Sequence, residues 1–228
     1  MKMKRYIVFI KQVPLSTKVE MDPVRKTLKR SSARCQANPD DLHALQAAVQ
    51  LKQLTGAEIV AVSMGPPQAE EVLREALQRG ADRAILLSSP AFAGSDTWCT
   101  SLILSAGDAA QVGPEVAGQL DIPQITHLES IEKVSASSIE VIKKAGNVYQ
   151  RLEVAMPCAL MVSKENNALD YPTLEGWRHA QQQTVTRWNE QDLEVEPAET
   201  GLQASPTHVV STEIPQSQKV IETSYRYE

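Results

Sequence analysis

Three stretches of small residues have the composition that ligand chemistry needs: Met64-Gly65-Pro66-Pro67, Gly94-Ser95-Asp96-Thr97 and Gly107 to Pro114. Each follows an apolar run or precedes a helical pattern. At the carboxyl ends of parallel strands, such loops gather helix N-termini whose unpaired N–H groups donate to a phosphate. The chemistry implied is nucleotide binding. Ser95, Thr97 and Asp108 offer oxygens to a ribose or phosphate, although as plain N-caps they need no ligand. None of the stretches carries the dinucleotide fingerprint or the phosphate-binding P-loop, which disfavours a standard dehydrogenase or NTPase.

Catalytic groups are scarce. Asp40 and Asp41 are adjacent acids at a helix start, a position that suits the helix dipole better than a general acid/base pair, whose members need different environments. His43 falls in the first turn of the same helix and reads as solvent-exposed. The three cysteines, Cys35, Cys99 and Cys158, lie far apart, and the four histidines are scattered, so no metal site is expected. No nucleophile and base are suggested by spacing.

The elements that must position these loops alternate between strand and helix. Arg5 to Ile10 is a β-branched apolar run of the buried-strand kind, ended by Lys11 to Pro14. Asn38 reads as the N-cap of a helix with Pro39 at its first position, an apolar stripe through Leu42, Leu45, Val49 and Leu54, and Gly56 as its stop. Glu58–Ser63 and Ala84–Ser88 are further strands, separated by a helix that runs through Arg79 to Gly80, and Phe92 begins a loop into a helix ending near Ala106. Short connections between such units imply an α/β fold, an open, mainly parallel sheet with helices on both faces. Ser138–Ile142 and Val148–Val154 form an antiparallel hairpin, and Cys158–Val162 is one more apolar run. The chain then turns polar. Residues 1–164 therefore read as an α/β nucleotide-binding domain, and residues 165–228 as a partner-binding loop and extended C-terminal arm.

With 228 residues, 42% hydrophobic, the chain can bury a real core. Its net charge of −5 and 4% aromatic content argue against nucleic acid as a partner. The balance is uneven, since ten Lys/Arg fall within residues 1–34. No signal peptide, transit peptide or membrane span is apparent, and a cytoplasmic location is expected.

At this point the residues resemble the beta subunit of electron transfer flavoprotein. The matching pieces are Lys11-Gln-Val-Pro14, Asn38-Pro39 before a helix, Val60 to Pro67, Arg79 to Ala84, Ala91 to Thr97 and Asp108 to Pro114. Met156-Pro157 after a hairpin and Tyr171 to Gly176 continue the series, in family order, over roughly residues 5–185. The resemblance implies an adenine-nucleotide-binding type of α/β fold and an alpha subunit that holds FAD. It implies electron exchange with an acyl-CoA or other dehydrogenase, and AMP or, in bifurcating members, a second FAD in the beta chain. By position, Phe9, Asn38, Met64, Gly65, Asp96, Thr97 and the Asp108–Pro114 loop, with Gln111, Val112 and Gly113, fall at that nucleotide. Leu174 falls at the loop that anchors a dehydrogenase. The loops around Met64 and Phe92 look most like those of bifurcating-capable members.

Two departures carry expectations of their own. Ser105-Ala106 runs directly into Gly107-Asp108, where the family has a further helical turn, a buried strand and a loop. A central parallel strand cannot be removed without exposing its neighbours, so residues are expected to be missing between Ala106 and Gly107, with Cα atoms well beyond about 3.8 Å apart. Asp170 replaces a basic residue, and Arg178 to Gln183 replaces a lysine-rich run, which alters the docking charge. The alternatives are a non-redox module that senses adenine nucleotides and a nucleotide-activating ligase; the ligase lacks a pyrophosphate loop and a base.

Overall fold

In the computed structural model, which describes residues 5–15, 35–104, 109–163 and 168–207, the first apolar run forms β1 (Arg5–Phe9). Lys11 to Pro14 does more than end it. Gln12–Pro14 is itself a strand, β2, paired antiparallel with β3 (Cys35–Ala37). Three-residue ladders are too short to leave a readable period.

Helix α1 (Pro39–Thr55) starts and stops where its terminal residues suggest, and Gly56 caps it in the left-handed region with its N–H on the Lys52 carbonyl. Two details differ. The Asn38 side chain makes no cap bond; its Nδ2 donates to Asp41 Oδ1 at 2.7 Å, and Asp41 Oδ2 accepts the Lys11 N–H at 2.8 Å. Asp41 is therefore buried and fastens α1 to the segment leaving β1. The apolar stripe runs through Leu42, Leu45, Ala48 and Leu51, and Leu54 is exposed, because it lies about two and a half turns beyond Leu45, on the opposite side.

β4 (Glu58–Met64), α2 (Glu70–Gln78) and β5 (Arg83–Leu87) complete the first crossovers. All pairings among β1, β4 and β5 are parallel. Alternate residues of each strand meet different helices. Ile59, Ala61, Ala84 and Leu86 pack on Leu42 and Leu45 of α1 and on Val72, Leu73 and Leu77 of α2. Val60, Val62, Ile85 and Leu87 pack on the other face with Phe92 and Val116. Both faces are covered, as a parallel sheet requires.

α3 (Thr97–Leu104) and α4 (Ala109–Gln119) follow. Residues expected to form a loop up to Pro114 are helical from Ala109, because Ala109 to Val112 contain no helix breaker and Pro114 is accommodated inside the helix. The Ala106–Gly107 junction lies outside the described residues. A second sheet has the order β8-β7-β6-β9, built from β6 (Gln124–Val134), β7 (Ser138–Ala145), β8 (Val148–Ala155) and β9 (Ala159–Val162). The β7–β8 hairpin is the expected one, whereas β6 left no trace in the sequence. Its register shifts twice against β7, so the two-residue alternation that would mark it is broken.

Past residue 164 the chain returns to the first sheet. α5 (Leu174–Gln182) packs on α2 through buried Ala180, and β10 (Val185–Trp188) joins β5 in parallel, giving the order β1-β4-β5-β10. Each of these short elements buries one residue of its own, Ala180 or Val185, too little to read as a stripe.

Candidate functional site

The carboxyl ends of the parallel strands bring several of the expected residues together. Phe9 ends β1 and Met64 ends β4, both half-buried beside Val62, Leu87 and Phe92. Gly65 donates its N–H to the Leu87 carbonyl at 3.0 Å, tying the Gly65–Pro67 turn to the end of β5. Asn38 stands beside them, its N–H on the Lys11 carbonyl at 2.9 Å. Ser63, the residue before Met64, was not singled out in the sequence. Ser63 is 2% exposed, and its Oγ has no hydrogen-bond partner. By strand alternation it shares the face of Ile59 and Ala61, opposite to Phe9 and Met64. Burying a hydroxyl without a partner costs about 1–3 kcal/mol, and native structures rarely leave one so. The readable signal was a lone serine closing an otherwise apolar strand.

The loop after β5 is organised differently. Ser89 caps the Pro90–Phe92 turn by accepting the Ala91 N–H. The Ser89 hydroxyl also holds the Glu190 carboxyl below its ordinary range, helped by the Glu190 backbone N–H. Asp96 uses Oδ1 to accept the Cys99 N–H at 3.0 Å at the start of α3, and Oδ2 to accept the Thr207 N–H at 2.9 Å. Its own N–H donates to Ser205 Oγ at 2.8 Å. Asp96 therefore clips the Thr200–Thr207 segment to the helix start, with α6 (Gly201–Ala204) between, and Thr97 is half-buried next to it.

In α4, Gln111 and Val112 occupy the first turn, where backbone N–H groups lack intrahelical partners. Gly113 is one residue further in. A Cβ on Gly113 would come within 2.9 Å of Met161 Cε, so this glycine lets α4 approach β9 closely. Asp108 lies outside the described residues, as do the side chains of Gln111 and Val112.

Leu174 is elsewhere. It is 66% exposed at the first residue of α5, near Gly80 to Asp82 at the amino end of β5. Thr173 caps this helix by accepting the Gly176 N–H on Oγ1 at 3.0 Å. Among the described residues no cluster of His, Cys, Asp and Glu suits a metal ion, and no helix is long and apolar enough to cross a membrane.

The sequence profile of the electron transfer flavoprotein domain matches residues 26–193. The electron transfer flavoprotein subunit beta of Thermoanaerobacterium thermosaccharolyticum is 40% identical, over 93% of this chain and 89% of that protein. The chain belongs to the electron transfer flavoprotein family. Similarity of 40% also extends to the caffeyl-CoA reductase-Etf complex subunit CarD of Acetobacterium woodii, over 90% of this chain and 86% of that protein. Protein FixA of Sinorhizobium fredii is 35% identical over 95% and 86%. As a beta-type member of this flavoprotein family the chain serves electron transfer, and the non-redox module is not favoured. The alignment with the Thermoanaerobacterium protein spans 232 positions yet uses 93% of this 228-residue chain, so that relative has residues with no counterpart here.

Proposed function

We propose that this chain is the beta subunit of an electron transfer flavoprotein heterodimer and binds an adenine nucleotide of its own at the carboxyl ends of β1, β4 and β5. That nucleotide is AMP or the adenosine end of a second FAD. The observation that carries the reading is the meeting of half-buried Phe9 and Met64 at the carboxyl ends of β1 and β4, next to the Gly65 turn. The nucleotide would lie over Phe9 and Met64, near the start of α1 at Asn38. Backbone N–H groups of Ala109 to Val112 suit the phosphate. Asp96 and Thr97 act on this site indirectly, by fixing the loop after β5. A bound flavin would supply the redox chemistry, and the chain supplies its binding and orientation.

Residues 1–164 form the nucleotide-binding part in this reading, and residues 165–228 carry the contacts to partners. The alpha subunit holds FAD, and Leu174 anchors an acyl-CoA or other dehydrogenase. The relative in a caffeyl-CoA reductase complex supports a partner of the CoA-ester dehydrogenase class. Exposed apolar side chains at Tyr171, Leu174 and Trp177 support a docking role for this segment.

The test is flavin and AMP content per heterodimer after co-expression with an alpha subunit. One FAD with one AMP, or two FAD without AMP, supports a nucleotide in this chain and separates the single-flavin carrier from the bifurcating type. One FAD and no second nucleotide overturns the reading.

A further inference from the structure

The segment that carries Leu174 is fastened at its root by residues far away in the sequence. Gln46, on α1, is itself buried. Its Nε2 donates to Asp170 Oδ2 at 2.7 Å, and its Oε1 accepts the Asp170 N–H at 3.2 Å. Arg79 Nη1 donates to the Asp170 carbonyl at 2.8 Å. Two residues thus take up the side chain and both backbone polar groups of Asp170. A second root lies at Gly176, packed so tightly on α2 that a Cβ there would collide with the Gln78 carbonyl oxygen.

Between the roots the segment borders an open cleft. Tyr171 and Thr173 line a cavity of about 440 Å³ with Lys52, Gly80 and Asp82. The hydrogen bonds at Asp170 and the close contact at Gly176 hold the segment there. From this span Tyr171 stands 93% exposed and Leu174 66%, with Trp177 half-exposed one helical turn after Leu174 on the same side of α5. Apolar anchors bind well when the loop that presents them is already ordered, because the partner then does not have to supply the ordering free energy.

We infer that Gln46 is a positioning residue for dehydrogenase docking: through its paired hydrogen bonds to Asp170 it holds the Tyr171–Trp177 segment in the conformation that presents Leu174. This rests on the docking reading of Leu174. Gln46 suits the task because one amide offers the donor that the Asp170 carboxylate needs and the acceptor that its N–H needs. A leucine would supply neither, and a glutamate would set two carboxylates against each other.

The experiment uses the heterodimer with its alpha subunit and an acyl-CoA dehydrogenase reduced by its acyl-CoA substrate as the electron donor. Steady-state rates are measured against dehydrogenase concentration. Gln46→Leu should raise KM for the dehydrogenase about three- to tenfold and leave kcat and flavin content unchanged. The reversed pair, Gln46→Glu with Asp170→Arg, should return KM to within about twofold of wild type by restoring an attraction at the same place. Leu174→Ala is the parallel control. If it raises KM while Gln46→Leu does not, the positioning role is overturned and the docking reading stands. If Leu174→Ala leaves KM unchanged, the docking reading fails and the positioning role fails with it. Should Gln46→Leu not accumulate as a folded heterodimer, the reversed pair and Gln46→Glu alone decide. A raised KM for Gln46→Glu that is rescued by Asp170→Arg supports the inference, and equal KM values overturn it.

Discussion

Arg74 Nη1 lies 2.9 Å from the carbonyl oxygen of Ala180, bridging α2 to the end of α5. The same nitrogen donates to the Gln183 carbonyl at 2.7 Å, while Nε and Nη2 hold Glu70 Oε1. One guanidinium thereby closes the last turn of α5 and fixes the point where the chain turns into β10. Hydrogen bonds from a charged donor contribute more than neutral ones, and orphaned carbonyls add their own cost. Arg74→Met should destabilise the subunit by about 2–3 kcal/mol in urea unfolding, with the amides of α5 exchanging before those of β4.

Glu70 is shared by two arginines, with Arg187 Nη2 at 2.6 Å from Oε2. The hydrogen bond from Arg187 outweighs burial and, with Arg74, holds the Glu70 carboxyl below its ordinary range. The ionised form is favoured by the fold. Its stabilisation is thus full above the unfolded carboxylate range and is lost as pH falls through the depressed native value. Glu70→Gln should be less stable than wild type near neutrality, and the difference should shrink below about pH 4. Urea midpoints of both proteins across that range check the sign; a difference that grows in acid would refute it.

Asp96 caps α3 with one oxygen and holds Thr207 with the other. Loss of both should cost about 1–2 kcal/mol. Asp96→Ala should also admit a broad-specificity protease between Thr200 and Thr207, with cleavage sites read by mass spectrometry. Asp96→Asn, which keeps one acceptor oxygen, should fall between.

Burial pushes the Cys158 thiol up. Since the thiolate is the reactive form, Cys158 should alkylate with iodoacetamide more slowly than a free cysteine at pH 8, and at the ordinary rate once the chain is unfolded in urea. Peptide mapping separates it from Cys35 and Cys99.

Ser63 and Met64 contrast the two faces of β4. With no partner for its hydroxyl in the protein, Ser63→Ala should leave the subunit as stable as wild type or slightly more so. In the heterodimer freed of exchangeable nucleotide, Ser63→Ala should bind AMP as wild type does, whereas Met64→Ala should bind it about tenfold more weakly, as measured by calorimetry.

How far these features could be read in advance depended on their periodicity. β1, β4 and β5 are continuous apolar runs, and α1 is bracketed by Asn38-Pro39 and Gly56, so the parallel layer was legible. β2 and β3 were too short, β6 was hidden by register shifts, and β10 buries little beyond Val185. At the candidate site, Met64 and Gly65 were legible as a loop after a strand, while Phe9 was placed there only by the family resemblance. The double commitment of Asp96 was not, because Thr207 lies 111 residues away and only the folded chain brings it near. Gln46 is the extreme case: a glutamine among apolar neighbours on a helix, whose reason is an aspartate 124 positions later.

The parallel sheet has consequences for how such a subunit changes over time. Met64 and Gly65 lie at the end of a strand, whereas the Tyr171–Gly176 segment sits by Gly80 to Asp82, which precede one. With strands rising about 3.3 Å per residue, the five residues of β5 set the two places roughly 16 Å apart. No side chain is shared between them, so effects of Met64→Ala and Leu174→Ala should add. On the proposed reading, a lineage can accordingly exchange the docked dehydrogenase by rewriting one end of the sheet, while a nucleotide at the other end stays under separate selection.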